Sequence, residues 1–204
     1  TDNNGGTSSQ ATASINVTPV NDPPVAIADT GSTDQNTLLS KDAASGVLTN
    51  DSDIDGGSLN VTSISFGSGS GVPVASGGTT VNGAFGSLLI APNGSYTYTP
   101  GDAAKALVAG QSANDVFTYS VSDGNGGTAT TTLTIQVNGL NDAPVIGGIA
   151  TGNVSEDGTL ATGGNLTITD PDAGQSSFIA QTAQGTYGTL SLQSNGSWSY
   201  SLDN

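Results

Sequence analysis

Val20-Asn21-Asp22-Pro23-Pro24-Val25 returns as Leu140-Asn141-Asp142-Ala143-Pro144-Val145, about one domain length further along the chain. A recurrence at that period signals tandem domains rather than one large fold. Each string follows a matching run, Asp2-Asn3-Asn4-Gly5-Gly6-Thr7 before the first and Asp123-Gly124-Asn125-Gly126-Gly127-Thr128 before the second. An alternating Thr/Ala/Ile/Val stretch separates run from string in both cases. A third correspondence links Gly83-Ala84-Phe85-Gly86 and Asn93-Gly94-Ser95-Tyr96-Thr97-Tyr98 to Gly185-Thr186-Tyr187-Gly188 and Asn195-Gly196-Ser197-Trp198-Ser199-Tyr200. The order of these landmarks predicts the last strand of one repeat with its linker in 1–22, a complete repeat in 23–141, and the N-terminal half of another in 142–204. The chain then reads as a window on a longer polypeptide.

Composition narrows the class. Hydrophobic residues make up 34% of the chain, with no Met, one Trp and 30 Gly. Many Ser, Thr and Asn accompany almost no Glu or Lys, a balance that disfavours helices and favours strands and turns. Two basic residues stand against 17 acidic ones, a formal charge of −15. Such a surface repels nucleic acid and anionic membranes, and it opposes compaction unless cations neutralise it. The absence of Cys excludes a disulfide framework. No stretch approaches the roughly 20 apolar residues of a membrane span.

Period-two alternation marks the strands. Ala11, Ala13, Ile15 and Val17 alternate with Thr12, Ser14, Asn16 and Thr18, and Ala129, Thr131, Leu133, Ile135 and Val137 alternate with polar neighbours. Phe117, Tyr119 and Val121 share one face, as do Tyr96 with Tyr98 and Trp198 with Tyr200 and Leu202. Between Val61 and Ile64 the apolar phase flips, which predicts a bulge. Turn signals at Asp55-Gly56-Gly57, Asn93-Gly94, Asp123-Gly124, Asp157-Gly158 and Asn195-Gly196 punctuate these runs. The pattern predicts an all-β protein of antiparallel Greek-key β-sandwich repeats. One short helical turn is expected at Asp102–Leu107.

Asp51-Ser52-Asp53-Ile54-Asp55-Gly56 places three carboxylates at alternate positions ahead of a Gly, spacing that lets a tight loop aim oxygens at one hard cation, calcium above all. An EF-hand is excluded, because Thr62 stands where its bidentate Glu belongs and strand patterns flank the loop. Asp170-Pro171-Asp172-Ala173-Gly174 is the corresponding loop of the next repeat, reduced to two carboxylates. Turn chemistry alone accounts for many Asp-Gly pairs, so Asp29, Asp102, Asp115 and Asp203 are weaker candidates than the clustered residues.

The Asn-Asp-x-Pro linkers at 21–24 and 141–144, the Asp-x-Asp loops at 51–55 and 170–172, Ser122-Asp123-Gly124-Asn125-Gly126-Gly127 and Ser155-Glu156-Asp157-Gly158-Thr159 form an ordered set covering nearly the whole chain. Together they resemble the cadherin-like repeats of large bacterial surface adhesins, including the VCBS type found in extender regions of RTX adhesins. The resemblance implies an immunoglobulin- or cadherin-like sandwich with calcium between consecutive domains. It implies Asn21, Asp22, Asp51, Asp53 or Asp55, and Asp123 as ligands at the first junction. At the second it implies Asp34, which aligns with Glu156, together with Asn141, Asp142, Asp170 and Asp172. It further implies a secreted protein at the bacterial cell surface, supporting attachment and biofilm formation, whose partners are neighbouring repeats of the same polypeptide. The missing strands of 142–204 raise head-to-tail self-association, with Ala11–Thr18 as the donated strand.

Catalysis has little support: without His or Cys, neither a Ser-His nor a Cys-His arrangement can be built. A glycosidase-type carboxylate pair is open on numbers alone, but the Asp residues sit beside Gly in turns. The alternative to a spacer is a carbohydrate- or protein-binding sandwich using Trp198, Tyr96 or Tyr187 as a stacking surface. Alternation with apolar neighbours instead favours core positions for these rings.

Overall fold

The computed structural model describes residues 3–7 and 9–203. Strands dominate them, and the order of the first unit follows from which strands can bury an alternate face. β1 (Asp29–Asp34), β2 (Leu39–Lys41), β3 (Asn60–Phe66), β4 (Val72–Pro73), β5 (Thr79–Asn82), β6 (Gly86–Ile90), β7 (Tyr96–Pro100), β8 (Ser112–Ser122) and β9 (Thr128–Asn138) form two layers. One sheet has the order β1-β9-β8-β3-β4, the other β2-β7-β6-β5. Chain crossings from β2 to β3 and from β7 to β8 give the Greek-key path. The β1–β9 pair is parallel while the remaining pairs are antiparallel. The sandwich is therefore not purely antiparallel, because its first and last strands run the same way.

The aromatic faces read from the sequence form the core: Tyr98, Phe117, Tyr119, Val121, Leu133, Ile135 and Val137 are fully buried, with Tyr96 nearly so. Phe117 meets Tyr98 edge-on at 6.3 Å and Phe66 at 5.5 Å, a geometry that aligns ring edges with ring faces. The expected bulge lies between Val61 and Ser63 on β3, and the expected helical turn is a 3-10 turn at Asp102–Ala106.

One fully buried carboxylate ties the layers together. Asp115, on β8, accepts the Ala84 N–H at 2.8 Å, the Phe85 N–H at 3.1–3.2 Å and the Tyr98 hydroxyl at 2.6 Å. A side chain at Gly83 would collide with that carboxylate. Asp115 is thus a clamp on the 83–86 loop rather than a candidate ligand.

The second unit is a single layer. β10 (Val145–Gly148), β11 (Ala161–Thr169), β12 (Gln181–Gln184), β13 (Gly188–Leu192) and β14 (Ser197–Leu202) are ordered β10-β11-β14-β13-β12. Trp198, Tyr200 and Leu202 share a face but remain only half-buried, because no second sheet among the described residues covers them. Ala150, Leu166, Leu190, Leu192 and Trp198 line an apolar depression on this unit.

Residues 11–18 correct the strand reading. They form no strand, and Ile15 and Val17 are 87% and 80% exposed. Alternation supplies a face but not a neighbour, and the matching slot between β1 and β8 is filled by the chain's own β9. Asp2, which opens the run resembling Asp123–Thr128, lies outside the described residues.

Candidate functional site

Two junctions, built the same way, carry the acidic loops. Val25 pairs with Ser52 in a short bridge that brings the first linker against the Asp51–Asp55 loop. There the Asp22 N–H donates to Asp55 Oδ2 at 2.6 Å, and the Asp55 N–H donates to Asp53 Oδ1 at 2.8 Å. At the second junction the Asp142 N–H donates to Asp172 Oδ2 at 2.8 Å, and the Asp172 N–H to Asp170 Oδ1 at 2.9 Å. Asp170 thus occupies the place of Asp53, and Asp172 that of Asp55. Both loops turn through Gly in the left-handed region, Gly57 at φ 116° and Gly174 at φ 80°, which only Gly adopts without strain.

Each linker is also held by an amide. Asn21 Nδ2 donates to Asp123 Oδ2 at 2.8 Å, and Asp123 Oδ1 accepts the Asn125 and Gly127 N–H groups. That Asn21 bond, followed by the Asn125 N–H, holds the Asp123 carboxyl below its usual range. At the second junction the roles are exchanged. Buried Gln35 donates from Nε2 to Asp142 Oδ2 at 2.8 Å and to the Leu140 carbonyl at 3.2 Å, while its Oε1 accepts the Leu140 N–H at 3.1 Å. Sequence reading missed Gln35. It placed Asp34 here, yet among the described residues the Asp34 carboxylate accepts only a long bond, 3.4 Å, from Asn138.

The remaining candidates are dispersed. Asp51 Oδ1 accepts the Ile27 N–H at 2.8 Å, and burial pushes its carboxyl up against that bond. Asp29 is also pushed up, first by burial, with the Tyr119 hydroxyl at 2.6 Å opposing and the Asp51 charge adding. Asn141 Nδ2 donates to the Asp142 carbonyl. Glu156 lies in the exposed turn closed by Ser155 and Thr159, without a side-chain hydrogen bond among the described residues.

Three carboxylate oxygens are left over. Asp51 Oδ2 and Asp53 Oδ2 at the first junction, and Asp172 Oδ1 at the second, are buried without any hydrogen-bond partner among the described residues. Asp172 as a whole is 1% exposed. A buried anionic oxygen without a partner is costly, and hard oxygen donors of this kind suit a hard cation. Among the described residues no three carboxylates converge on one point, so a cation here would need carbonyl, amide or water oxygens to complete its shell.

Fold and junction together define a modular, nearly all-β protein whose repeats meet at carboxylate-lined linkers. The profile of the bacterial cadherin-like domain matches residues 21–139 and again 141–204, and the chain belongs to that family. A relative from Rhizobium johnstonii described as the calcium-binding lectin RapA2 is 28% identical over 188 residues, covering 83% of this chain and 78% of its own. Among solved structures, protocadherin gamma B2 extracellular cadherin domains 1–5 superpose with a TM-score of 0.49 at 17% identity, over 92% of this chain and 34% of that one. A four-domain structure of PcdhgB3 gives 0.49 at 15%, over 89% and 41%. The chain spans about a third to two fifths of these cadherin structures. No helix among the described residues is long and apolar enough to cross a membrane.

Proposed function

We propose that the chain is a calcium-stabilised extender of a secreted bacterial cell-surface adhesin, serving attachment and biofilm formation as a structural element rather than an enzyme. The observation that carries this reading is the recurrence, at both junctions, of buried carboxylate oxygens with no hydrogen-bond partner among the described residues. At the first junction calcium would draw on Asn21, Asp22, Asp51, Asp53 or Asp55, and Asp123, no three of these carboxylates on one ion, with carbonyl and water oxygens completing the shell. Asp170 and Asp172 with Asn141 and Asp142 would serve at the second. Calcium there supplies positive charge that relieves repulsion among clustered carboxylates. The family membership and the calcium-binding description of the Rhizobium relative support the same ion.

The lectin description of that relative favours a second reading, a binding module. The aromatic residues give it little help. Tyr96 is buried, and Trp198 donates its Nε1–H to the Ile149 carbonyl at 2.6 Å, leaving Tyr187 alone fully displayed. Neighbouring repeats of the same polypeptide are the natural partners. The open face of the second sheet and the unpaired Ala11–Thr18 segment also suit head-to-tail association through strand donation.

The test is calcium titration of the whole chain, followed by melting and by small-angle scattering. A ligand that binds only the folded state adds about 4 kcal/mol at a thousandfold excess over Kd, so calcium should raise the melting temperature and lengthen the particle. Coincident melting curves with calcium and with chelator would overturn the reading. A strict monomer, with strong hydrogen-exchange protection across 142–203, would remove the strand-donation part alone.

A further inference from the structure

Six Asn-Gly pairs occur in the chain, at 4–5, 82–83, 93–94, 125–126, 138–139 and 195–196. Such a pair is reactive because no side chain shields the glycine nitrogen, which can attack the Asn Cγ and close a five-membered ring. The attack needs a glycine N–H that is not hydrogen-bonded and an Asn side chain free to swing over it. Four pairs fail the first condition. The Gly83 N–H donates to the Gly86 carbonyl at 2.7 Å, Gly94 to Ala91 at 3.0 Å, Gly139 to Gln111 at 2.8 Å and Gly196 to Gln193 at 3.0 Å. Asn93, Asn138 and Asn195 are also held by their own side-chain bonds.

Asn125-Gly126 meets both conditions. Asp123 Oδ1 accepts the Asn125 N–H at 2.7 Å and the Gly127 N–H at 3.0 Å, and it skips the Gly126 N–H between them, which has no acceptor among the described residues. The exposed Asn125 side chain makes no hydrogen bond among them either. Nothing lies within 4 Å of where a Gly126 Cβ would stand, so the ring has room to form. The two Asp123 bonds pin the backbone on each side of the reacting atoms, and the attack is intramolecular, which spares it the cost of an encounter. Asn4-Gly5 occupies the same place in the run that corresponds to Asp123–Thr128. The dipeptide therefore recurs two residues after an Asp in successive repeats.

We propose that Asn125 is a site of spontaneous covalent modification, which replaces a neutral amide at the first junction by a carboxylate two residues from Asp123. The Gly126 nitrogen bonds to Asn125 Cγ, the Cγ–Nδ2 bond breaks, and ammonia leaves with the proton that the glycine nitrogen gives up. Water then adds to either carbonyl of the cyclic imide and restores an N–H. Opening at Cγ yields aspartate, and opening at the Asn125 backbone carbon yields isoaspartate, whose main chain is one methylene longer. Both products add one negative charge, and neither needs an oxidant or a second protein. That charge strengthens the attraction of the first junction for a divalent cation and, without the cation, adds repulsion against Asp123. The consequence for the ion rests on the calcium reading, whereas the modification itself does not.

The experiment incubates the whole, freshly purified chain in chelator at neutral and mildly alkaline pH and follows each Asn over days by peptide mapping with mass spectrometry. Isoaspartyl methyltransferase labelling separates the two products. Asn125 should convert at least tenfold faster than Asn82, Asn93, Asn138 and Asn195, and faster at the higher pH. Asn125→Gln, which would have to close a slower six-membered ring, should stay unmodified at this position. Asn125→Asp reproduces one product, and its calcium midpoint should lie at least twofold below that of fresh wild type. Conversion at Asn125 no faster than at the four bonded pairs would overturn the proposal. An unchanged midpoint in Asn125→Asp, with wild type responding to calcium, would overturn the part that concerns the ion. Calcium-insensitive melting of wild type would remove the junction reading and leave the modification, measured in chelator, standing.

Discussion

The Asp142 backbone N–H donates to Asp172 Oδ2 at 2.8 Å, while the other oxygen of that carboxylate is buried with nothing among the described residues to accept from. One oxygen thus holds the linker, and the other is the one assigned to calcium under the proposed function. The two roles separate by substitution. Asp172→Asn keeps an acceptor for the linker but removes the charge, so in chelator its melting temperature should equal or exceed the wild type's. Its calcium affinity at this junction should fall at least tenfold, about 1.4 kcal/mol. Asp172→Ala should lose the linker bond as well and be less stable in both conditions. Paired melts with calcium and chelator distinguish these patterns.

Asp29 and Asp51 predict a pH response at the first junction. Burial foremost raises both carboxyls, so the folded chain holds these protons more tightly than the unfolded one. Without calcium, their contribution to stability is fully present below the unfolded value near 3.9 and is lost as pH rises through the raised folded values. Asp51→Asn should therefore raise the melting temperature in chelator at neutral pH and flatten its acid-side slope. With calcium the same variant should melt below wild type. Asp123, held low by Asn21, works in the opposite direction, contributing stability above the unfolded value that is lost as pH falls through its folded value. Melting in chelator from about pH 4 to pH 7, for wild type and Asp51→Asn, reads the first effect directly.

Asp115→Ala should be the most damaging acidic substitution, costing about 3–5 kcal/mol because it strands the Ala84 and Phe85 N–H groups and the Tyr98 hydroxyl in the core. The calcium-induced rise in melting temperature should survive. Asp102→Ala removes only an exposed pair with Lys105 and should leave melting unchanged within error. Thermal melts of the two variants, side by side, check the contrast.

Much of this was legible in the chain. Alternation at 117–121 and 129–137 marks the core faces because a half-buried strand must alternate, and the phase flip at Val61–Ile64 betrays the bulge because an extra residue must break that alternation. Alternation at Ala11–Val17 misleads for a related reason: period two reports two-faced character, while a strand also requires a free edge beside it. The Asp-x-Asp loops were readable as loops because the spacing of their carboxylates and Gly is local. Gln35 was not, since its bonds to Leu140 and Asp142 span more than a hundred residues. A neutral amide carries no signature of a charged site, and only the β1–β9 register that sets Asp34 opposite Asn138 brings it to the linker.

Gln35 also predicts how the second junction behaves without metal. Its side chain grips the linker by three bonds, two to the Leu140 backbone and one to the Asp142 carboxylate, and none of them needs a cation. Removing calcium should consequently loosen this joint only in part. Gln35→Ala should cost about 1–3 kcal/mol through the Leu140 polar groups it leaves unpaired, and Gln35→Glu should be worse in chelator because it sets a second carboxylate against Asp142. Calcium should recover Gln35→Glu more fully than Gln35→Ala, since the new carboxylate can itself serve as an oxygen ligand. Small-angle scattering on the two variants, with and without calcium, reports this as the maximum particle dimension. If both variants keep the wild-type dimension in chelator, Gln35 does not hold the linker.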